Sequence, residues 1–135
     1  MINVIMGLKG SGKTKKLIDS INATAASAQG SVVCIEYGSN LRYEVKSSVR
    51  LVSSKEYGIN NLDMLKGFLS GLHAGNYDIT NVYIDNLYKT IGNNRAIGES
   101  FILWCAEFAK ANDMNITLTV SDDPELASED VKAYL

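Results

Sequence analysis

Short apolar runs alternate along this chain with longer segments in which apolar residues recur every three or four positions. The runs at 2–6, 31–36, 82–84 and 116–120 have the length and β-branched content of strands buried on both faces of a sheet. Val49, Leu51 and Val52 predict a further short strand. Strands that alternate with helices form parallel sheets with right-handed crossovers, so the pattern predicts an α/β fold.

The longer segments have the spacing of amphipathic helices, and four are expected. The first begins at Lys13 and fades by Gly30. The second has an N-cap at Asn60 or Asn61 and a glycine stop at Gly75.

The remaining two helices lie in the second half of the chain. One follows a loop of glycine and asparagine at 92–94. The last begins with the Asp-Pro-Glu sequence at 123–125, an N-cap with proline at the first helical position, and continues to Leu135. Residues 41–45 fit either a loop or one helical turn.

A chain of 135 residues has the usual length of one domain, and no linker or internal repeat interrupts it. We therefore expect a single domain over residues 1–135. Its fold class is α/β with three layers, in which a mostly parallel sheet of about five strands is covered by helices on both faces.

Composition narrows the classes of function. A formal net charge of −2 gives no clear signal for nucleic-acid binding, and the apolar runs are far too short for a membrane segment. Met1 leads directly into a strand without a basic leader, so a cytoplasmic location is expected. Cys34, Cys105 and the lone His73 do not have the spacing of metal ligands, which favours two buried thiols.

The strongest chemical signal lies between the first predicted strand and the first predicted helix. This segment matches the pattern G-x-x-x-x-G-K-[ST] at every fixed position, in the strand-to-helix context that such a phosphate-binding loop requires. It predicts binding of ATP or GTP with Mg²⁺. The expected binding residues are Gly7, Leu8, Lys9, Gly10, Ser11, Gly12, Lys13 and Thr14.

Each residue type in the motif has a physical reason. Glycines let consecutive backbone amides turn inward and form an anion-binding nest at the positive end of a helix. Lys13 is expected between the β- and γ-phosphates, and the Thr14 hydroxyl is expected on Mg²⁺. Lys9 is either a further phosphate contact or a solvated loop charge.

A second carboxylate-bearing strand end is expected to complete the metal site. Asp85 directly follows the apolar run at 82–84, which is the Walker B arrangement. We therefore predict that Thr14 and Asp85 hold Mg²⁺, with Asp85 acting directly or through water.

Together these residues resemble the P-loop NTPase superfamily, over nearly the whole chain because the predicted order of strands and helices also agrees. The strand ends at Glu36 and Asp85 resemble those of the RecA-like (ASCE) branch. In that branch the strand before the Walker B strand can end in the glutamate that polarises the attacking water. The resemblance implies that Glu36 is catalytic together with Lys13, and the alternative is an exposed strand-end carboxylate.

Two narrower similarities are present. Residues 7–18 resemble small stand-alone bacterial P-loop proteins, some of them labelled twitching-motility ATPases, although pilus-retraction ATPases contain a further domain for which this chain has no room. A weaker similarity is to thymidine kinases, through the Leu-Arg-Tyr sequence at 41–43. The zinc-binding lasso of those enzymes has no counterpart here.

One departure bears on catalysis. Many hydrolytic relatives carry Glu after the Walker B Asp, whereas Asn86 follows Asp85 here and cannot accept a proton from water. The sequence therefore predicts slow hydrolysis unless Glu36 supplies the base.

Two classes of function remain open at this point. One is a slow NTP hydrolase, acting as a homo-oligomer in which Arg95 or Arg42 of one subunit completes the site of another. The other is a nucleotide-responsive binding or adaptor module with little turnover. A small-molecule or nucleoside kinase is less favoured because the chain holds only Arg42, Arg50 and Arg95, too few for a phosphoryl-transfer lid. The choice between ATP and GTP, the protein partner and the oligomeric state are left open.

Overall fold

The computed structural model describes all 135 residues as an α/β fold built on one five-stranded sheet. Every neighbouring pair of strands is parallel, which confirms the expected sheet. The strand order is β1-β5-β4-β2-β3. The strands are β1 (Ile2–Gly7), β2 (Ser31–Glu36), β3 (Arg50–Ser53), β4 (Ile79–Ile84) and β5 (Asn115–Ser121).

The order places β5 between β1 and β4. Gly7 at the end of β1 pairs with Ser121 at the end of β5, and Ile84 of β4 pairs with Leu118 on the other side of β5. In a parallel sheet the carboxyl ends of all strands meet at one edge, where ligands of α/β proteins bind. The segment after Gly7 and the residue after Ile84 therefore flank the end of β5.

Five helices surround the sheet. They are α1 (Lys13–Ser27), α2 (Leu62–Gly75), α3 (Leu87–Ile91), α4 (Arg95–Ala111) and α5 (Glu129–Lys132). Two of them begin at an asparagine N-cap. The side chains of Asn61 and Asn94 each accept a hydrogen bond from a backbone N–H in the first turn of α2 and α4, respectively. The short α3 was not predicted, since five residues are too few to show a helical period.

The predicted terminal helix is wrong as one continuous element. Its first part is a 3-10 turn at Pro124–Leu126, and α5 begins only at Glu129. Two separate caps explain the break: Asp123 accepts an amide of the first turn at 2.9 Å, and Ser128 caps α5. The amide of Ser128 also donates to the Glu99 carboxylate at 2.9 Å, which holds the chain extended between the two turns.

Both faces of the sheet are covered. Along β2, Val33 and Ile35 join the larger core under α2 and α4, while Val32 and Cys34 join a smaller core under α1. Strict alternation along a strand therefore explains why the run is apolar throughout. Cys34 and Cys105 are both buried and free, and burial raises the pKa of each thiol.

The segment between β2 and β3 covers the α1 face. The amides of Glu44 and Val45 both donate to the Leu41 carbonyl, so the alternative of one helical turn is correct for this stretch. Asn22 of α1 fixes the turn by donating to the Glu44 carbonyl and accepting from the Lys46 amide, each at 2.9 Å. None of the helices combines the length and apolar character that spanning a bilayer requires.

Candidate functional site

The loop between β1 and α1, residues 8–12, contains two positions whose backbone conformation only glycine adopts readily. Gly10 and Gly12 both have φ of 84°, in the left-handed region. Gly7 meets a different constraint, since a Cβ there would collide with the Ser11 hydroxyl. The loop consequently folds back on the end of β1, and the Ser11 amide donates to the Leu8 carbonyl at 3.1 Å.

Several backbone N–H groups of this loop and of the first turn of α1 have no hydrogen-bond acceptor. The helix cap, Gly12, has no side chain to accept an amide. The amides of Gly10, Gly12, Lys13, Thr14 and Lys15 make no intramolecular hydrogen bond. Free amides at a helix N-terminus carry partial positive charge and form a site for an anion.

A polar cleft of about 290 Å³ opens at this helix end, and no hydrophobic side chain lines it. On one side lie the loop and the first turn of α1; on the other lie the residues after β4 and the end of β5. The predicted site residues that line it are Lys9, Gly10, Gly12, Lys13, Thr14 and Asp85, joined by Lys15, Asn86, Thr119 and Ser121.

The remaining predicted loop residues shape the turn without lining the cleft. Gly7 is buried at the strand end, and Leu8 is exposed. The Lys13 ammonium donates to the Leu8 carbonyl at 3.1 Å, so the lysine lies across the loop at the mouth of the cleft.

Thr119 is a site residue that sequence reasoning missed. It is buried at 1% exposure, and its hydroxyl donates to Asp85 Oδ1 at 2.8 Å. The hydroxyl oxygen of Thr119 also accepts the Asn86 amide at 2.6 Å. One hydroxyl thus orients the carboxylate and holds the backbone beyond it. The run at 116–120 contains two threonines, Thr117 and Thr119, and no local signal distinguishes the one that reaches Asp85.

Asn86 has φ of 58°, a left-handed conformation that asparagine tolerates better than most residues. Its side chain lines the cleft beside Asp85. The unusual backbone and the bond to Thr119 explain a turn at this point, between β4 and α3.

Glu36 lies outside this cleft. Its side chain is buried at 5% exposure, so the alternative of an exposed strand-end carboxylate is wrong. One carboxylate oxygen accepts the Asn40 amide at 2.8 Å, and the other accepts the Leu41 amide at 3.2 Å. Both oxygens are therefore used to close the loop after β2.

Of the arginines expected to act between subunits, Arg95 is engaged within its own chain. Its guanidinium donates to both oxygens of Asp122, at 2.9 and 2.8 Å, and Asp122 also accepts the Tyr88 hydroxyl at 2.8 Å. These bonds, led by that from Arg95, hold the pKa of Asp122 at about 2. Arg42 instead lies 5.0 Å from the ring centre of Tyr43, in an exposed turn.

The residues around the cleft offer two oxygen ligands for a hard divalent cation. No group of three or more His, Cys, Asp or Glu side chains is placed to hold a metal ion. Thr14 and Asp85 nonetheless line one cleft, and hydroxyl and carboxylate oxygens are ligands that Mg²⁺ accepts. Mg²⁺ usually keeps several waters and takes further ligands from substrate phosphates, so two protein oxygens fit this ion.

Comparisons with known proteins assign no family to the chain. No protein-family model matches it, and no curated protein shows significant similarity to it.

Proposed function

We propose that this protein binds ATP or GTP with Mg²⁺ in the cleft at the start of α1. The observation that carries the proposal is that five residues with free amides, Lys13 among them, line one cleft together with Asp85 and without a hydrophobic side chain. A triphosphate is the ligand that matches many donors and a single carboxylate, because its oxygens would accept hydrogen bonds from the amides and the carboxylate would help to hold the Mg²⁺ that accompanies it.

Each residue then has a defined task. The amides at the start of α1 hold the phosphate oxygens, and Lys13 balances the charge of the outer two phosphates. Thr14 and Asp85 would hold Mg²⁺, which when bound neutralises charge on the phosphates. Thr119 keeps the Asp85 carboxylate turned toward the cleft.

Slow turnover is part of the proposal. The side chain next to Asp85 is the amide of Asn86, which cannot act as a base. The Glu36 carboxylate already accepts two backbone amides and does not line the cleft. General-base assistance is typically worth about 10²–10⁴ in rate, so its absence leaves weak hydrolysis. The same two observations favour the second candidate, a nucleotide-responsive binding module.

Calorimetry with and without a single lysine tests the binding proposal. Lys13→Ala should weaken Mg²⁺–nucleotide binding severely, because the amides alone cannot balance the charge of the outer phosphates. Lys16→Ala is the matched control, since Lys16 is an exposed lysine of the same helix that does not line the cleft. Unchanged affinity in a folded Lys13→Ala variant would rule out this loop as the phosphate site.

Steady-state phosphate release then separates the two candidates. Slow release that Lys13→Ala abolishes supports the hydrolase. Tight binding by the wild-type protein without any release supports the binding module.

A further inference from the structure

A second cleft, here called the lateral cleft, adjoins the first at the ends of β4 and β5. Its volume is about 440 Å³. Three residues, Lys9, Asn86 and Ser121, line both clefts and form the boundary between them. The opposite wall comes from α3 and the turn after it, with Lys89 and Asn93 among its side chains.

The polar side chains of the lateral cleft are free to bind a ligand. Those of Lys9, Asn86, Lys89, Asn93 and Ser121 make no hydrogen bond or ion pair within the chain. Only the Tyr88 hydroxyl is engaged, and it donates to Asp122. The cleft therefore presents ammonium, carboxamide and hydroxyl donors without internal competitors.

Its charge selects for an anion. Lys9 and Lys89 line the cleft, and no carboxylate does. Asp122, the carboxylate just beyond Tyr88, is already held by both nitrogens of Arg95 that face it. Two unpaired cations beside neutral donors form a site for a small negatively charged group.

We propose that the lateral cleft binds a phosphate or carboxylate group of a second small molecule, next to the nucleotide. The proposal rests on the proposed function for the position of that nucleotide. The residues with free amides at the start of α1 line only the first cleft, so the triphosphate is held there and the lateral cleft remains for another anion. A molecule held across this boundary would lie beside the nucleotide phosphates, where an acceptor or an effector acts.

Nitrogen-15 NMR of the full chain provides the test, with inorganic phosphate and acetate as separate probes. The protein is first saturated with Mg²⁺ and a β,γ-imido triphosphate analogue, which fills the first cleft. Phosphate or acetate should then shift the side-chain signals of Asn93 and Asn86. The probe that binds more tightly identifies the preferred group.

Lysine variants define the site. Lys89→Ala should weaken binding of the better probe about tenfold, as expected for loss of a charge-assisted contact. Lys110→Ala is the control, because Lys110 is another exposed lysine in the last turn of a helix, outside both clefts. Equal affinity in wild type and Lys89→Ala would overturn the proposal, as would absence of any shift at Asn93.

Two further outcomes keep this inference separate from the proposed function. If Lys89→Ala weakens the triphosphate analogue as much as Lys13→Ala does, the lateral cleft holds part of the nucleotide and the proposal is wrong. If the analogue does not bind at all, the proposed function fails, and the probes are titrated into the protein alone. Binding that depends on Lys89 and not on Lys13 would then still support an anion site in the lateral cleft.

Discussion

A carboxylate lies at the end of each of the neighbouring strands β2 and β4, and the two differ in burial and in hydrogen-bond partners. Ile35 and Ile84 are paired, so Glu36 and Asp85 follow at the same level of the sheet. Asp85 lines the polar cleft and accepts a hydrogen bond from the Thr119 hydroxyl. Glu36 is buried and accepts two backbone amides from its own loop.

The difference comes from the path of the chain beyond each strand. After β2 the chain folds back at once, and Glu36 accepts the N–H groups of Asn40 and Leu41, of which the Leu41 amide is buried, where an unpaired donor is costly. After β4 the left-handed Asn86 turns the chain away, and a side chain from β5 supplies the support. A carboxylate at a strand end is therefore free for chemistry only where the next segment does not use it.

The largest expected effect comes from removing the charge of Asp85. Asp85→Asn should weaken Mg²⁺-dependent nucleotide binding on the order of a hundredfold, because a neutral amide replaces the carboxylate proposed to hold Mg²⁺. Calorimetric titrations in Mg²⁺ and in EDTA measure this, and binding in EDTA should change little. Equal losses in both conditions would mean that Asp85 has a structural role only.

Glu36→Gln should act on stability instead of binding. The glutamine oxygen can keep the bond from the buried Leu41 amide, but the glutamine nitrogen cannot accept the Asn40 N–H, so one partly buried bond is lost at a cost of about 1 kcal/mol in the free energy of unfolding. Urea denaturation measures the loss, while nucleotide affinity and residual phosphate release should remain at wild-type levels. Loss of phosphate release in a variant of unchanged stability would show that Glu36 is catalytic.

Thr119→Val tests the support of Asp85 with a side chain of nearly the same shape. Loss of the hydroxyl removes one bond to Asp85 and one from Asn86, so Mg²⁺-dependent affinity should fall about fivefold and stability by about 1 kcal/mol. Thr119→Ser keeps the hydroxyl and is the control. If Val and Ser behave alike in both measurements, the hydroxyl does not position Asp85.

The smallest effect concerns a third strand-end carboxylate, Asp122, which lies directly after β5. Arg95 lowers its pKa from the ordinary 3.8 to about 2, so the folded state gains stability above pH 4 and loses it between about pH 4 and 2. Solvent screens this pair, and Asp122→Asn should lower the melting temperature at pH 7 by only a few degrees. Melting curves from pH 7 to 2 should converge for wild type and variant. A constant difference across that range would exclude the ion pair as its cause.

Sequence alone predicted the elements whose signals are local. The strands, the glycine-containing loop before α1 and the cap before α2, expected at Asn60 or Asn61 and found at Asn61, depend on neighbouring residues, and the structure contains them all. The partner of Asp85 could not be predicted in this way. The bond from Thr119 depends on β5 lying beside β4, and hydrophobic periodicity carries no information on the order of strands.

The hydrogen bonds of Glu36 could not be predicted from the sequence either. Its position at a strand end was predicted, but its use by the amides of Asn40 and Leu41 depends on the path of an irregular segment. The break in the terminal helix has a similar origin. The bond from the Ser128 amide to Glu99 crosses between distant parts of the chain and overrides the local helical pattern.

The position of β5 in the sheet also constrains how the protein folds. β1 is the first strand in the chain, yet its only sheet neighbour is the last one, and the Met1 amino group bonds to the Met114 carbonyl. Contacts between residues so far apart in sequence slow folding, because a long loop must close before they contribute stability. During synthesis, β1 therefore has no strand partner until β5 has been made, so we expect the loop at 8–12 to acquire its structure late in folding.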